Sequence, residues 1–166
     1  MRARSFINRV ALVVLLSSLV ACSPKPRQVL YEIDFSQQSL PPFIEKIEGF
    51  SSREDWGRWT DANVAPEARI VFKQSLPRDF ALVIKGQSMP KPGYEESRIK
   101  IGDFEQSFYV EGVGGVATIH VRLSEDSSEI RIIPMSPASP KELGLNQDVR
   151  KLGLGVMKIY IESYIE

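Results

Sequence analysis

The chain has 166 residues, with 21 basic and 21 acidic side chains, one histidine and one cysteine. This length suits one domain with its own core, and a single cysteine excludes an intrachain disulfide. The first 21 residues contain three arginines and no acid, so the rest of the chain has 18 basic and 21 acidic residues and a net charge of −3. This part of the chain also has no run of basic residues. Both features argue against nucleic acid as a partner.

The first 21 residues have the pattern of an export signal. Arginines at positions 2, 4 and 9 precede a nearly continuous apolar run from Val10 to Val20. The run is too short and wrongly flanked for a stable membrane span. We therefore predict a signal peptide over residues 1–21.

The segment Leu19-Val20-Ala21-Cys22 resembles the lipobox of bacterial lipoproteins. The resemblance implies cleavage before Cys22 and lipidation of this cysteine, palmitate included, so that acyl chains bind the protein to a lipid bilayer. Ser23 rather than aspartate follows, which by resemblance to enterobacterial lipoproteins favours the outer membrane of a Gram-negative bacterium, facing the periplasm. The alternative is an ordinary signal before a chance cysteine. Residues 22–28 form the lipidated cysteine and a tether that two prolines keep extended.

Residues 29–166 are a succession of short β-prone runs separated by turn residues. After the signal, no stretch sustains a helical apolar period over three turns. This pattern predicts an all-β fold, a single jelly-roll-like antiparallel β-sandwich of eight to ten strands whose first and last strands pair. The predicted strands are 29–35, 43–47, 56–61, 68–73, 80–86, 97–101, 105–110, 117–123, 129–133 and 152–161.

Glycines and prolines mark the connections between these runs. Gly102-Asp103 predicts a hairpin turn, and the glycine-rich segment 112–115 predicts a separator between two strands. Gly153 and Gly155 predict a bulge or close packing in the last strand. Residues 134–145, with three prolines, predict a long loop.

The segment from Glu54 to Asp61 holds both tryptophans of the chain, Trp56 and Trp59, on either side of Arg58. In an extended strand, Trp56 and Arg58 would point to one face and Trp59 to the other. One interpretation is a sugar site, in which an indole stacks on a pyranose and Arg58 with Glu54 or Asp55 binds hydroxyls. The other is structural, with a core tryptophan and Arg58 paired to a carboxylate from another strand.

Asp148 and Arg150 share a face if the chain is extended before the last strand. One interpretation is that they anchor the 134–150 loop through Glu54 or Arg58. The other is that these four charges form one network under a binding cleft. The predicted ligand-binding set is therefore Glu54, Trp56, Arg58, Trp59, Asp148 and Arg150.

Two parts of the chain carry a family resemblance. Gly49–Asp61, with Ser136–Gly144 and Asp148–Gly155, resembles the small C-terminal domain of bacterial phosphoglycerol transferase I, a membrane enzyme that decorates periplasmic glucans. The resemblance covers roughly residues 45–162. It implies a non-catalytic, galactose-binding-like sandwich of the type that accompanies glycan-active enzymes, and the sulfatase-like catalytic domain has no counterpart here.

Other chemistry has little support. His120, the sole histidine, is expected to face solvent with Thr118 and Arg122, and with no cysteine beside it makes no usual zinc site. A structural calcium was weighed for the acidic loop pairs at 95–96 and 125–126, but no metal and no cofactor is predicted. We find no nucleophile–base pair, so the chain is not expected to be an enzyme.

Two functions follow from these patterns. The first is a membrane-anchored envelope lipoprotein with a non-catalytic sandwich that binds a periplasmic glycan or another sugar-containing envelope component. The second is a structural module that binds an envelope protein through a sheet face or the 134–140 loop, with no sugar site. An exposed tryptophan in a concavity favours the first, and two buried tryptophans with an exposed apolar patch elsewhere favour the second.

Overall fold

The computed structural model describes residues 27–90 and 96–164, with the backbone alone at residue 164. The predicted signal peptide, Cys22 and all of the predicted tether before Arg27 lie outside this part of the chain. The described residues include no helix that is long and apolar enough to cross a membrane.

The described residues form ten strands and no helix, with turns and loops between the strands. The strands are β1 (Arg27–Asp34), β2 (Ile44–Glu48), β3 (Arg58–Asp61), β4 (Ala68–Phe72), β5 (Asp79–Gln87), β6 (Glu96–Ile101), β7 (Phe104–Tyr109), β8 (Val113–Arg122), β9 (Glu129–Pro134) and β10 (Leu152–Tyr164). Each contains or overlaps one of the predicted runs.

The strands form two antiparallel five-stranded sheets. The first sheet has the order β1-β10-β5-β8, and β3 also pairs with β10. The second has the order β2-β4-β9-β6-β7. The first and last strands pair antiparallel, from Arg27 opposite Tyr164 to Asp34 opposite Lys158. The predicted all-β sandwich, its number of strands and its closure are therefore confirmed.

Alternating apolar residues place the core between the two sheets. In β8, Ala117, Ile119 and Val121 are buried, while the residues between them are exposed. The same period-two pattern in β4 and β9 buries one face of each strand. Side chains from both sheets thereby form one contiguous cluster, which includes Phe35, Ile70, Phe80, Ile132 and Ile159.

The turn between β6 and β7 has the predicted form. Ile101 pairs with Phe104, so that Gly102 and Asp103 alone make the connection. Gly102 has a φ of 53°, and no residue other than glycine in the described chain has a positive φ. A type II′ hairpin requires a positive φ at its first turn residue, here Gly102, and a negative φ at its second, here Asp103. Glycine adopts the positive φ without steric cost.

The predicted separator at 112–115 is wrong in part. Strand β8 begins at Val113 and runs through Gly114 and Gly115, so it is longer than the predicted 117–123. Its pairing with β5 continues through Gly115 opposite Gly86 to Val113 opposite Gln87, with a register shift between the two. Apolar alternation is interrupted at the glycines, but the pairing of β8 with β5 continues beyond them.

Candidate functional site

The tryptophan segment reverses direction immediately before β3. Backbone hydrogen bonds join Glu54 and Gly57 in both directions, at 2.8 and 3.2 Å, so that Asp55 and Trp56 occupy the turn. The prediction that residues 56–61 are one extended strand is therefore wrong at its start. A Cβ on Gly57 would lie 2.2 Å from the carbonyl oxygen of Val156, so the turn can approach β10 only with glycine there.

The two indoles pack against each other and do not point to opposite faces as predicted. Their ring centroids are 5.2 Å apart with an interplanar angle of 77°, an edge-to-face contact. Trp59 is 9% exposed and packs with Met89 and Leu152 in a second apolar cluster, apart from the main core. Trp56 is half-buried against this cluster. The pair combines a structural indole with one that solvent reaches.

Gly155 of β10 creates the space for the indoles. A Cβ on this residue would lie 2.9 Å from Cη2 of Trp56 and 3.0 Å from Cζ3 of Trp59. Both rings therefore lie directly over the backbone of the strand that crosses the centre of the first sheet. The predicted close packing at Gly155 is observed, and the bulge is observed as a register shift between Leu152 and Gly155.

Three of the predicted charged residues form a network beside Trp56. The indole Nε1 donates to Glu54 Oε2 at 3.0 Å, and Arg150 Nη1 donates to Glu54 Oε1 at 3.2 Å. Arg150 also contacts Asp148 with two nitrogens, at 2.9 Å and 2.6 Å to Oδ2. These hydrogen bonds from Arg150 hold the pKa of Asp148 below its usual value, and they raise the pKa of Arg150. Glu54 and the indole are thus fixed in orientation.

The loop between β9 and β10 positions Asp148 and Arg150 beside Glu54. Ser139 and Glu142 exchange hydrogen bonds, with the Ser139 amide 3.0 Å from Glu142 Oε2 and the Glu142 amide 3.1 Å from Ser139 Oγ. This reciprocal pair stabilises the turn that begins there, as in a helix capping box. Leu143, in the same turn, packs against the tryptophan cluster. The loop is thereby attached by apolar and by ionic contacts.

Arg58 does not join the network. It pairs across the sheet with Val156, a core residue, so its side chain projects to the inner side of β3 while Trp59 faces the opposite side. The prediction of an arginine beside the tryptophans and of a four-charge network is therefore wrong for this residue. Glu54, Asp148 and Arg150 are brought together with Trp56 and Trp59.

The arrangement around Trp56 suits the binding of a flat polar molecule. A half-buried indole supplies an apolar surface, and the side chains of Glu54, Asp148 and Arg150 remain 24–35% exposed. Their hydrogen bonds to one another leave carboxylate lone pairs and guanidinium protons directed to solvent. A platform with oriented donors and acceptors at its rim is what recognition of vicinal hydroxyls requires.

His120 and Asp126, two residues considered for metal binding, each have a side-chain partner. His120 is exposed on β8, as predicted, and its Nε2 lies 2.7 Å from Asp79 Oδ1. Within residues 27–90 and 96–164, no three of the side chains that bind metals cluster together. Asp126, one acid of the loop weighed for calcium, pairs instead with Arg78 at 3.0 Å.

A second surface feature lies at the open edge between the two sheets. A cleft of about 620 Å³ separates the edge strands β7 and β8, lined among others by Phe108, Tyr109 and Val116. Tyr109 is 56% and Val116 59% exposed, and Val113 beside them is 81% exposed. The sequence alone gave no signal for this patch, because alternation does not reveal which strands lie at a sheet edge.

Met89, Leu143 and Arg53 are the residues near the candidate site that sequence reasoning missed. Met89 belongs to the apolar cluster of Trp59, and Leu143 packs against that cluster, both from loops that are distant in the sequence. Arg53 donates to the carbonyl oxygen of Ser36 at 3.1 Å and lies next to the tryptophan turn. Only its position beside Glu54 pointed to it.

Comparison with known proteins gives one family and one group of relatives. A family model described as a domain of unknown function (DUF7024) matches residues 24–163. Phosphoglycerol transferase I of Escherichia coli O139:H28 is 29% identical over 128 residues, which are 76% of this chain and 17% of the relative. The enzyme of the same name from Shigella boydii serotype 18 gives the same values. The predicted resemblance to phosphoglycerol transferase I is confirmed. The chain spans 17% of the length of these curated relatives, and no solved structure matches it.

Proposed function

The chain belongs to the DUF7024 family, and from that premise we propose that it is an envelope lipoprotein whose β-sandwich binds a glycan at Trp56. In this proposal the sandwich is non-catalytic, and acylated Cys22 binds it to the outer membrane of a Gram-negative bacterium, facing the periplasm. The observation that carries the proposal is the half-buried Trp56 indole, held in place by Glu54 and packed on Trp59.

Preorganisation is the physical reason to expect binding there. An exposed tryptophan that samples many rotamers loses conformational entropy when it stacks on a ligand. Trp56 has lost that entropy on folding, because Glu54, Arg150 and Asp148 restrain it in series.

The name of the relatives describes the transfer of phosphoglycerol, but the chain covers 17% of their length. The short shared part therefore supports an accessory role, and the transferase activity is not carried over to this chain.

The test is the affinity of the full-length chain, purified in mild detergent, for periplasmic glucans and a small panel of other glycans by titration calorimetry. We expect one glycan class to bind, and Trp56→Ala to lower its affinity at least tenfold with little change in melting temperature. Tyr109→Ala, an exposed aromatic on the second sheet, is the matched control and should bind as the unmodified chain does. Equal affinity of the Trp56→Ala chain would contradict the proposal.

A second candidate function rests on the apolar patch of Tyr109, Val113 and Val116 at the open edge of the sandwich. β8 pairs only with β5 among the described strands, so an extended segment of an envelope protein would find an unpaired edge there. Crosslinking to such a protein in the envelope, lost in Val116→Lys and unchanged in Trp56→Ala, would favour this function over glycan binding.

A further inference from the structure

Arg58 differs from every other arginine in the described chain. Those residues contain nine arginines, and the other eight each have a carboxylate within 4.0 Å. Arg58 pairs with none, although its Nε is buried without a hydrogen-bond partner. A buried Nε–H without an acceptor is costly, because its desolvation is not offset by a hydrogen bond.

A second arginine stands opposite it. Glu54 bridges Gly57 and Phe50 bridges Thr60, so the segment before the turn has one extra residue between the two bridges, and Ser52 and Arg53 both lie across from Arg58. Like charges close together across a strand pair are destabilising. Burial, and to a lesser extent the charge of Arg53, lowers the pKa of Arg58.

Among the described residues, Arg53 has one weak ion pair and Arg58 has none. The one carboxylate near Arg53 is Asp55, 3.9 Å away and fully exposed at 106%, a distance and setting in which an ion pair contributes little. Arg53 Nη1 is held instead by the carbonyl oxygen of Ser36, at 3.1 Å. Arg58 is half-buried and Arg53 is exposed, so solvent reaches part of both side chains.

We propose that Arg53 and Arg58 form a binding site for a phosphoryl group, on the side of β3 opposite the tryptophan pair. Two planar guanidinium groups offer paired donors to the several unshared oxygens of a phosphate or phosphate ester, and the bound anion supplies the missing counter-charge. The site is independent of glycan binding at Trp56, because Arg58 projects from the opposite face of the strand.

The test is thermal unfolding of the full-length chain in detergent, with inorganic phosphate replacing chloride at constant ionic strength. We expect the melting temperature to rise by about 3–5 °C at tens of millimolar phosphate. Arg58→Met should abolish this rise and, without phosphate, should melt at or above the temperature of the unmodified chain, because the repulsion with Arg53 is removed. A rise in melting temperature that is the same in all variants measures the general stabilisation of folded proteins by phosphate, without specific binding.

Arg98→Met is the matched control. Arg98 pairs with Glu105 at 2.9 Å on the second sheet, so its loss should leave the phosphate response intact. Soluble glycerol phosphate and short-chain phosphatidylglycerol below its micellar concentration carry the same group from two sources, and the one that gives the larger Arg58-dependent rise identifies the source. A phosphate response that is equal in the unmodified chain and in Arg58→Met would overturn the proposal.

Discussion

Arg150 is the residue that joins the two segments of the candidate site. Its Nη1 contacts Glu54 from the turn before β3, and its Nε and Nη2 contact Asp148 from the loop before β10. The side chain is 35% exposed, so solvent screens these pairs and their contribution to stability is modest. Their main effect is on the position of Glu54, and through it on the indole of Trp56.

Asp148→Asn should destabilise the protein at neutral pH and not at low pH. The folded pKa of Asp148 is lowered, so its contribution is fully present above the unfolded value of about 3.9 and is lost as the pH falls through the folded value. We expect a loss of about 1 kcal/mol at pH 7, measured by urea unfolding, because a charge-assisted hydrogen bond becomes a neutral one. The difference from the unmodified chain should shrink below pH 4.

Asp126→Asn is the control for this experiment. The Asp126–Arg78 ion pair has a distance of 3.0 Å, similar to the Asp148–Arg150 pair, but both of its side chains are more than 60% exposed. Its effect should stay within a few tenths of a kcal/mol at pH 7. An Asp148→Asn effect no larger than this would mean that the network does not hold the loop.

Strand β10 is the element on which the candidate site is built. It pairs with β1, β3 and β5, and it carries Gly155 beneath both indoles. Across the first sheet, Gly155 of β10 lies opposite Trp59 of β3 on one side and Gln87 of β5 on the other. Gln87 in turn lies opposite Val113 of β8. A side chain at the glycine position would fill the space that the tryptophans occupy.

Gly155→Ala should displace the tryptophan pair. Its Cβ would lie 2.8–3.0 Å from atoms of Gln87, Trp56 and Trp59, all of them in side chains that can move. We expect a loss of about 1–3 kcal/mol by denaturant unfolding and a changed near-ultraviolet circular dichroism spectrum. Gly86→Ala should cost more, because its Cβ would meet the backbone oxygen of Gly155 at 2.2 Å. An unchanged spectrum in Gly155→Ala would show that the rings do not lie over this residue.

Alternation of apolar residues was sufficient to predict the strands, because each strand buries one face against the same core. It failed at Trp56, since a two-residue reversal between Glu54 and Gly57 leaves no trace in the period of the side chains. The contact of Arg150 with Glu54, 96 positions apart, was weighed as one alternative, but the sequence could not decide it. The pairing of distant loops depends on the topology of the whole sheet.

At the scale of the whole molecule, the proposed anchor precedes the sandwich, and the proposed binding site combines residues 54–59 with residues 148–150. β1 begins at Arg27, five positions after Cys22, so an acylated Cys22 would hold the sandwich close to the bilayer. A short tether limits the ligands of the sandwich to those within reach of the membrane surface.

Cys22→Ser should leave an unprocessed chain without lipid. A mature form outside the membrane fraction should be found only if a different signal peptidase cleaves the chain. Metabolic labelling with palmitate and fractionation of the envelope measure both effects. The fold should be unaffected, since Cys22 precedes the first strand. Palmitate labelling and normal maturation of Cys22→Ser would refute the lipobox assignment.

The central claim is that Trp56 binds a glycan, and fluorescence of the Trp59→Phe chain tests it most directly. The chain has two tryptophans, so this substitution leaves Trp56 as the sole indole reporter. We expect acrylamide to quench Trp56 in the free protein, and a glycan of one class to shift its emission saturably and protect it from quenching. Quenching that no glycan alters would contradict the claim and would direct the search for a ligand to the open edge between β7 and β8.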